Sequence, residues 1–385
     1  MNKTIEEINE KIKKGTAVVL TAEEIIDFAK DNGIEKAAKE VDVVTTATFG
    51  PMCSSGIFLN FGHANPPIKM KRVWLNDVPA YTGIAAVDAY IGATELSDLG
   101  DFEYGGAHVI EDLIDGKDIK LYAESYGTDC YPRKEITTTI NKSNINQAYM
   151  FNPRNAYQNY PAATNSSDRT IYTYMGTLLP NNNNINYSTS GQLSPLINDP
   201  YLRTVGIGTR IFLGGTVGYV SWEGSQHNPN PNRGDNGVPI GPGASLALIG
   251  DIKHMSKEFV RAAVYEGYGV SLFVGIGIPI PIIDKDILIN TLVSDDKIFT
   301  EIIDKSGNEG SLRKVSYKEL RSGLVELKGK KVQSAPLSSL RKAREIANLL
   351  KNNIKNSNFY LTQAVQPLPR ENVINKLDLR GEYRV

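Results

Sequence analysis

The chain is poor in the residues that make metal sites and covalent scaffolds: its 385 residues include two cysteines and four histidines. Two thiols are too few for a disulfide framework, and a chain-held iron–sulfur cluster usually needs four thiolates. The histidines stand far apart at His63, His108, His227 and His254, without a CxxC or HxxxH spacing, which excludes an ordinary structural zinc site. Neither sign of charge dominates: 42 Lys and Arg against 43 Asp and Glu give a formal charge of −1. Nucleic acid and anionic membranes therefore have no electrostatic claim on the chain. No apolar run approaches the ~20 residues of a membrane-spanning helix. The start, MNKTIEEINEKIKK, is charged and amphipathic without an apolar signal core. A cytoplasmic location, with the thiols kept reduced, is expected. A Gly-Lys-Ser/Thr phosphate loop is also missing. Gly206-Ile-Gly208 and Gly275-Ile-Gly277 lack the third glycine of a dinucleotide fingerprint, Ile211 and Ile280 standing there. Glycines that let strands pack closely or bend are the plainer reading.

The length exceeds what one core usually serves, so two domains or one large domain with elaborate loops are expected. Thr4 with Glu7 and Thr21 with Glu24 are capping boxes, each opening a helix. Ala17–Leu20 and Val43–Thr46 read as strands around these helices, the rhythm of an α/β layered domain with sites at the carboxyl ends of strands. His108–Ile114 reads as a helix, Leu121–Ala123 as a strand, Ser256–Tyr265 as a helix and Val270–Ile276 as a buried strand. The expected fold is α/β, with layered mixed sheets and long ordered loops forming the active site. Residues 1–283 are expected to be an α/β catalytic region with loop-rich insertions at 145–200 and 221–243. Residues 284–385 are expected to be a C-terminal α/β segment closed by an amphipathic helix carrying Leu340, Ala343, Ile346, Ala347, Leu350 and Ile354.

Both cysteines sit where turns are expected. Cys53 follows the Val43 strand in FGPMCSSG, and Cys130 lies in GTDCYPR between Asp129 and Arg133. A lone cysteine is often a small buried hydrophobe, but these turn contexts favour reactive thiols. His63, ten residues after Cys53, and His108, at a helix start, are candidate acids or bases, with a structural imidazole as the alternative for each. Arg133, Arg154 and Arg210 stand in loop-like settings suited to holding a substrate carboxylate or to capping loop carbonyls. Tyr157 belongs to a tyrosine-rich and asparagine-rich stretch expected to face a pocket.

Several long motifs in one order, VDVVTTATFGPMCSSGIFLNFGH, AYTGIAAVDAYIGATE, YGGAHVIEDLI, YGTDCYPR, NPRNAYQNY, GQLSPLINDP and VGIGIPIPI among them, resemble the homocysteine biosynthesis (HcyBio) family of anaerobes and methanogens. The resemblance covers about residues 3–369. It implies insertion of sulfide-derived sulfur into L-aspartate semialdehyde to give L-homocysteine, with two electrons consumed. It also implies that Cys130 carries a persulfide and that Cys53 is its redox partner. Some members of this family carry C-terminal CBS domains, and others work beside a small NIL-domain protein with ferredoxin-like clusters. The present chain resembles the second kind, without CBS domains.

Aldehyde sulfuration needs a sulfur nucleophile, an acid for the carbonyl oxygen and a reductant. Two thiols supply the first and can carry its redox consequence. With no cofactor expected on this chain, the electrons are expected from outside, from an iron–sulfur partner protein. A homo-oligomer is compatible with the sequence. From the residues alone two other classes stay open: a dithiol oxidoreductase, and a non-catalytic subunit of a sulfur-assimilation complex whose cysteines pack inside.

Overall fold

The computed structural model describes residues 2–375 apart from 86, 101, 156, 157, 308 and 309. The fold is α/β and built from several sheets. Thr4 caps the helix Ile5–Lys13 through a full capping box, its hydroxyl accepting from Glu7 N–H while the Glu7 carboxylate accepts from Thr4 N–H. Thr21 and Glu24 make the same reciprocal pair ahead of Glu24–Asn32.

The largest sheet has ten strands. Its spatial order runs Val19–Thr21, Val43–Pro51, Gly269–Pro281, Arg210–Leu213, Thr216–Glu223, Leu246–Asp251, Gln147–Asn155, Gly56–Asn60 and Ala89–Gly92, with Val260–Tyr265 hairpinned onto the Gly269 strand. Val43–Pro51 and Gly269–Pro281 form its spine, antiparallel over nine residue pairs from Val43↔Pro281 to Pro51↔Phe273. Both are almost wholly buried, which explains their β-branched, nearly uninterrupted apolar sequences.

The closing amphipathic helix forms as expected, Leu340–Lys355, with Ser339 as N-cap. Its buried Ala343, Ile346, Ala347, Leu350 and Ile354 lie over the spine. Gly275 and Gly277 permit that approach: a Cβ on Gly275 would stand 2.7 Å from Ile346 Cδ1, and one on Gly277 3.2 Å from Leu350 Cδ2. These glycines serve close packing, not a dinucleotide.

Three expectations need correction. Ser256–Tyr265 is not a helix; its second half is the strand Val260–Tyr265, held by six pairings to Gly269–Val274. The segment 145–200 is not mainly loop, since it contributes the strands Gln147–Asn155, Ala162–Thr164, Ile171–Thr173, Gly176–Leu178 and Asn184–Tyr187. Buried asparagines bridge these short strands: Asn186 Nδ2 donates to Met175 O (2.8 Å), and Asn165 Nδ2 to Arg169 O (2.7 Å). Polar side chains thus occupy interior positions, which hides the strand periodicity. Finally, the sheets do not divide at 283/284. A six-stranded sheet runs Ser311–Ser316, Phe299–Asp304, Ala162–Thr164, Asn184–Tyr187, Lys330–Pro336, Leu324–Leu327, taking strands from both sides of that boundary around its own apolar core.

Candidate active site

The Val43 strand ends at Pro51, and the chain turns sharply over Met52–Ser55, Ser55 N–H donating to Met52 O at 2.9 Å. Cys53 occupies the second position of this turn. Hydroxyls on its far side pin it to the Gln147–Asn155 strand: Ser54 Oγ donates to Asn152 Oδ1 (3.0 Å), and Asn152 Nδ2 donates to Ser55 Oγ (2.6 Å). Cys53 itself is free and exposed.

The thiol borders a cavity of about 880 Å³. Thr48, Gly50 and the Met52–Ser54 turn form one wall, and Arg154 and Asn155 from the end of their strand form another. Opposite them, Tyr265, Tyr268 and Ser271 come from the hairpin, while Tyr160, Tyr174 and the 188–195 segment come from the side of the six-stranded sheet. Gln226 and Asn228 from the 221–243 loop and Ile374 close the rim. The cavity thus lies beyond the carboxyl end of the spine strand, where sites of layered α/β folds gather.

Cys130 also sits in a tight turn, Thr128–Tyr131, closed by Thr128 N–H to Tyr131 O (2.9 Å) and Tyr131 N–H to Thr128 O (3.1 Å). The turn tops the connection between the paired strands Ile119–Glu124 and Glu135–Ile140 of a four-stranded sheet. Its thiol is free and exposed. Neither cysteine is packed inside, so the reading of a non-catalytic subunit with interior thiols loses its premise.

Arg133 anchors the Cys130 connection. Nε donates to Pro66 O (2.9 Å) and Nη2 to Asn65 O (2.8 Å), so the side chain caps loop carbonyls. The same bonds bring the Cys130 loop against the exposed His63 segment. Arg154, in the cavity wall, bonds to Gln226 across the rim. Arg210 lies off the cavity, its guanidinium 4.8 Å from the Phe359 ring centre and its backbone N–H on Thr362 Oγ1. His108 stands in the first turn of Gly106–Asp115, stacked on Tyr104 at 5.1 Å, and is no part of the wall either. Burial pushes its imidazole below the ordinary value, with Glu111 and Asp112 opposing. Tyr157 lies outside the described residues.

Among the residues sequence reasoning proposed, the cavity therefore brings together Cys53 and Arg154. It adds Asn155, Tyr265, Tyr268 and Ser271; Tyr265 was missed because its half of the hairpin was read as a helix, which also hid the hairpin turn that brings Tyr268 and Ser271 to the cavity. The signal was present in Tyr265-Glu-Gly-Tyr-Gly269, a glycine-bearing turn between two β-rich runs.

A layered α/β fold with a free thiol at the wall of a tyrosine-lined cavity is the architecture of an enzyme with an enclosed substrate site. Residues 17–361 match the homocysteine biosynthesis enzymes of sulfur incorporation, and the chain belongs to that family. An L-aspartate semialdehyde sulfurtransferase of Methanosarcina acetivorans is 51% identical over 374 residues, covering 96% of this chain and 73% of the relative. One of Methanocaldococcus jannaschii is 51% identical over 386 residues, covering 96% and 74%. An uncharacterized protein of Methanothermobacter thermautotrophicus is 29% identical over 84% of this chain and 73% of its own length. No solved structure matches. Among the described residues, no helix is long and apolar enough to cross a membrane.

Proposed function

We propose that this chain is an L-aspartate semialdehyde sulfurtransferase that inserts sulfide-derived sulfur into its substrate to form L-homocysteine. The observation that carries this reading is a free thiol in the wall of a substrate-sized cavity, in a chain 51% identical to two sulfurtransferases of that name. Overall, the aldehyde, hydrogen sulfide, two electrons and two protons give the thiol and one water.

The two cysteines divide the sulfur chemistry. Cys130 stands outside the cavity wall as a free thiol in this structure, and its exposed turn must meet Cys53 in the oxidised form: sulfide opens that Cys53–Cys130 disulfide, leaving a persulfide on Cys130 and a thiol on Cys53. The outer sulfur of the persulfide adds to the aldehyde carbon. Cys53 then attacks the Cys130 sulfur, re-forming the disulfide and releasing a hydroxythiol, which loses water to a thioaldehyde. Two electrons and two protons reduce the thioaldehyde to the product thiol. With two cysteines in the chain, fewer than a cluster's usual four thiolates, the electrons come from a separate iron–sulfur protein, a small ferredoxin-like NIL-domain partner. Arg154 and Asn155 hold the amino-acid end of the substrate, the guanidinium facing its carboxylate. A cytoplasmic location suits a biosynthetic enzyme of this kind.

The test replaces Cys130 and Cys53 by Ala separately and measures homocysteine from aspartate semialdehyde, labelled sulfide and reductant, with mass spectrometry of the sulfide-treated protein. Cys130→Ala is expected to abolish both product and sulfur adduct. Full activity in that variant removes the persulfide role, and a wild-type chain that makes no labelled homocysteine overturns the whole reading.

A further inference from the structure

Buried polar groups are ordinarily paired, yet the cavity wall holds three side chains whose buried polar atoms have no hydrogen-bond partner among the described residues: the Tyr265 hydroxyl, the Ser271 hydroxyl and the Asn155 amide. Ser271 and Asn155 are each 1% exposed. Several other wall hydroxyls are occupied. Tyr160 and Tyr174 bond to each other at 3.1 Å, Ser194 Oγ accepts from Ser190 N–H at 3.0 Å, and Thr189 donates to Tyr317.

The hairpin brings two of the unpaired groups, Tyr265 and Ser271, into the same cavity wall as the Cys53 thiol. The spine pairing Pro51↔Phe273 continues through Met52 N–H to Leu272 O (2.7 Å), one residue short of Cys53 on one strand and of Ser271 on the other. Tyr265 pairs with Gly269 at the hairpin's end, and its Tyr268 neighbour packs at 6.4 Å between ring centres. Gly267, at φ +62°, lets the turn lie under Tyr172, since a Cβ there would come within 2.8 Å of that ring. The turn is thus seated by packing while its Tyr265 hydroxyl is unspent.

Resting on the sulfurtransferase reading above, we propose that Tyr265 is a catalytic residue that donates the proton to the substrate's carbonyl oxygen as the sulfur nucleophile adds beside Cys53, with Ser271 as the second donor to that oxygen. In this step the carbon–sulfur bond forms and the carbonyl π bond breaks. Its electron pair moves to oxygen, which takes the phenolic proton, and the phenolate recovers a proton from solvent. No net oxidation or reduction occurs.

The donor is in the required state. Burial first, then the charge of a Cys53 thiolate, pushes the Tyr265 phenol up from its ordinary value of 10.0, so it stays protonated over the working pH range. A donor positioned before the charge develops and kept off other partners is the arrangement that stabilises an oxyanion most.

Tyr265→Phe tests this directly. Its kcat for homocysteine formation is expected to fall about 10²–10⁴-fold, the usual contribution of a positioned acid, with KM within about twofold. The Tm is expected to hold or rise, because the variant removes a buried hydroxyl that lacks a partner. The sulfide-dependent adduct on Cys130 is expected to persist. Wild-type kcat in Tyr265→Phe overturns the role of Tyr265 and leaves the sulfurtransferase reading standing, whereas a wild-type chain without homocysteine-forming activity overturns that reading itself. Should Tyr265→Phe fold poorly, ring-fluorinated tyrosine at 265 keeps shape and hydroxyl while acidifying it. The alkaline limb of the rate profile is then expected to move to lower pH, and an unmoved limb overturns the proposal.

Discussion

Cys53 and Cys130 occupy tight turns of the same size, but their surroundings differ: polar groups and a cavity face the first, solvent and an arginine-capped loop the second. His108 shows the opposite case, a chemically able side chain placed for packing. Its Nδ1 is buried without a partner among the described residues, and its ring stacks on Tyr104. Because burial lowers its pKa, the folded protein resists protonating it, while the unfolded chain takes up the proton as pH falls through the ordinary value of 6.5. Stability is therefore full above that value, is lost as pH falls from it to the folded pKa, and levels off below. His108→Gln is expected to show a shallower fall in Tm between about pH 7 and about pH 5 than wild type, with kcat unchanged. Thermal scans across that range decide the point.

At the scale of elements, the spine pair and the helix Leu340–Lys355 form one packed unit, and the hairpin Val260–Pro281 extends it to the cavity. The amphipathic helix was legible because its apolar residues repeat at helical spacing, and five of the six positions read as its apolar face are buried, Leu340 at its start being half-buried. The hairpin was not. Val260–Tyr265 has the exposure pattern of a strand covered unevenly on both faces, and its Arg and Ala residues carry little β-propensity, so only its partner decides its conformation. Leu350 is fully buried against Gly277 of the spine. Leu350→Ala is expected to destabilise the fold by about 2–5 kcal/mol, through lost burial and the cavity it leaves. Urea unfolding with an unchanged m-value would confirm that magnitude.

At the scale of the whole molecule, the cavity draws its walls from the ten-stranded sheet, from segments beside the six-stranded sheet and from the 221–243 loop. A ligand filling it contacts several parts of the chain at once, and binding to the folded state alone stabilises it by mass action. At about 100 times its Kd, L-homocysteine is expected to add roughly 2.7 kcal/mol of stability. Calorimetry should show a rise in Tm that shrinks in Arg154→Ala, and an equal rise in that variant would remove Arg154 from the binding role.

Local chemistry alone determined the capping boxes at Thr4 and Thr21, the Val43 strand, the turn at Cys53 and the closing helix, because each depends on residues a few positions apart. The motifs also carried the family, which the match over residues 17–361 bears out. Tertiary structure decided what depends on distant partners. Asn184–Tyr187 joined strands from beyond residue 283, Arg210 went to Phe359 and Arg133 to loop carbonyls, and Tyr265, 212 residues after Cys53 in the chain, came to share its cavity. A hydroxyl becomes a site only when neighbours from elsewhere in the chain bury it, orient it and leave it unpaired, and spacing along a sequence does not encode that.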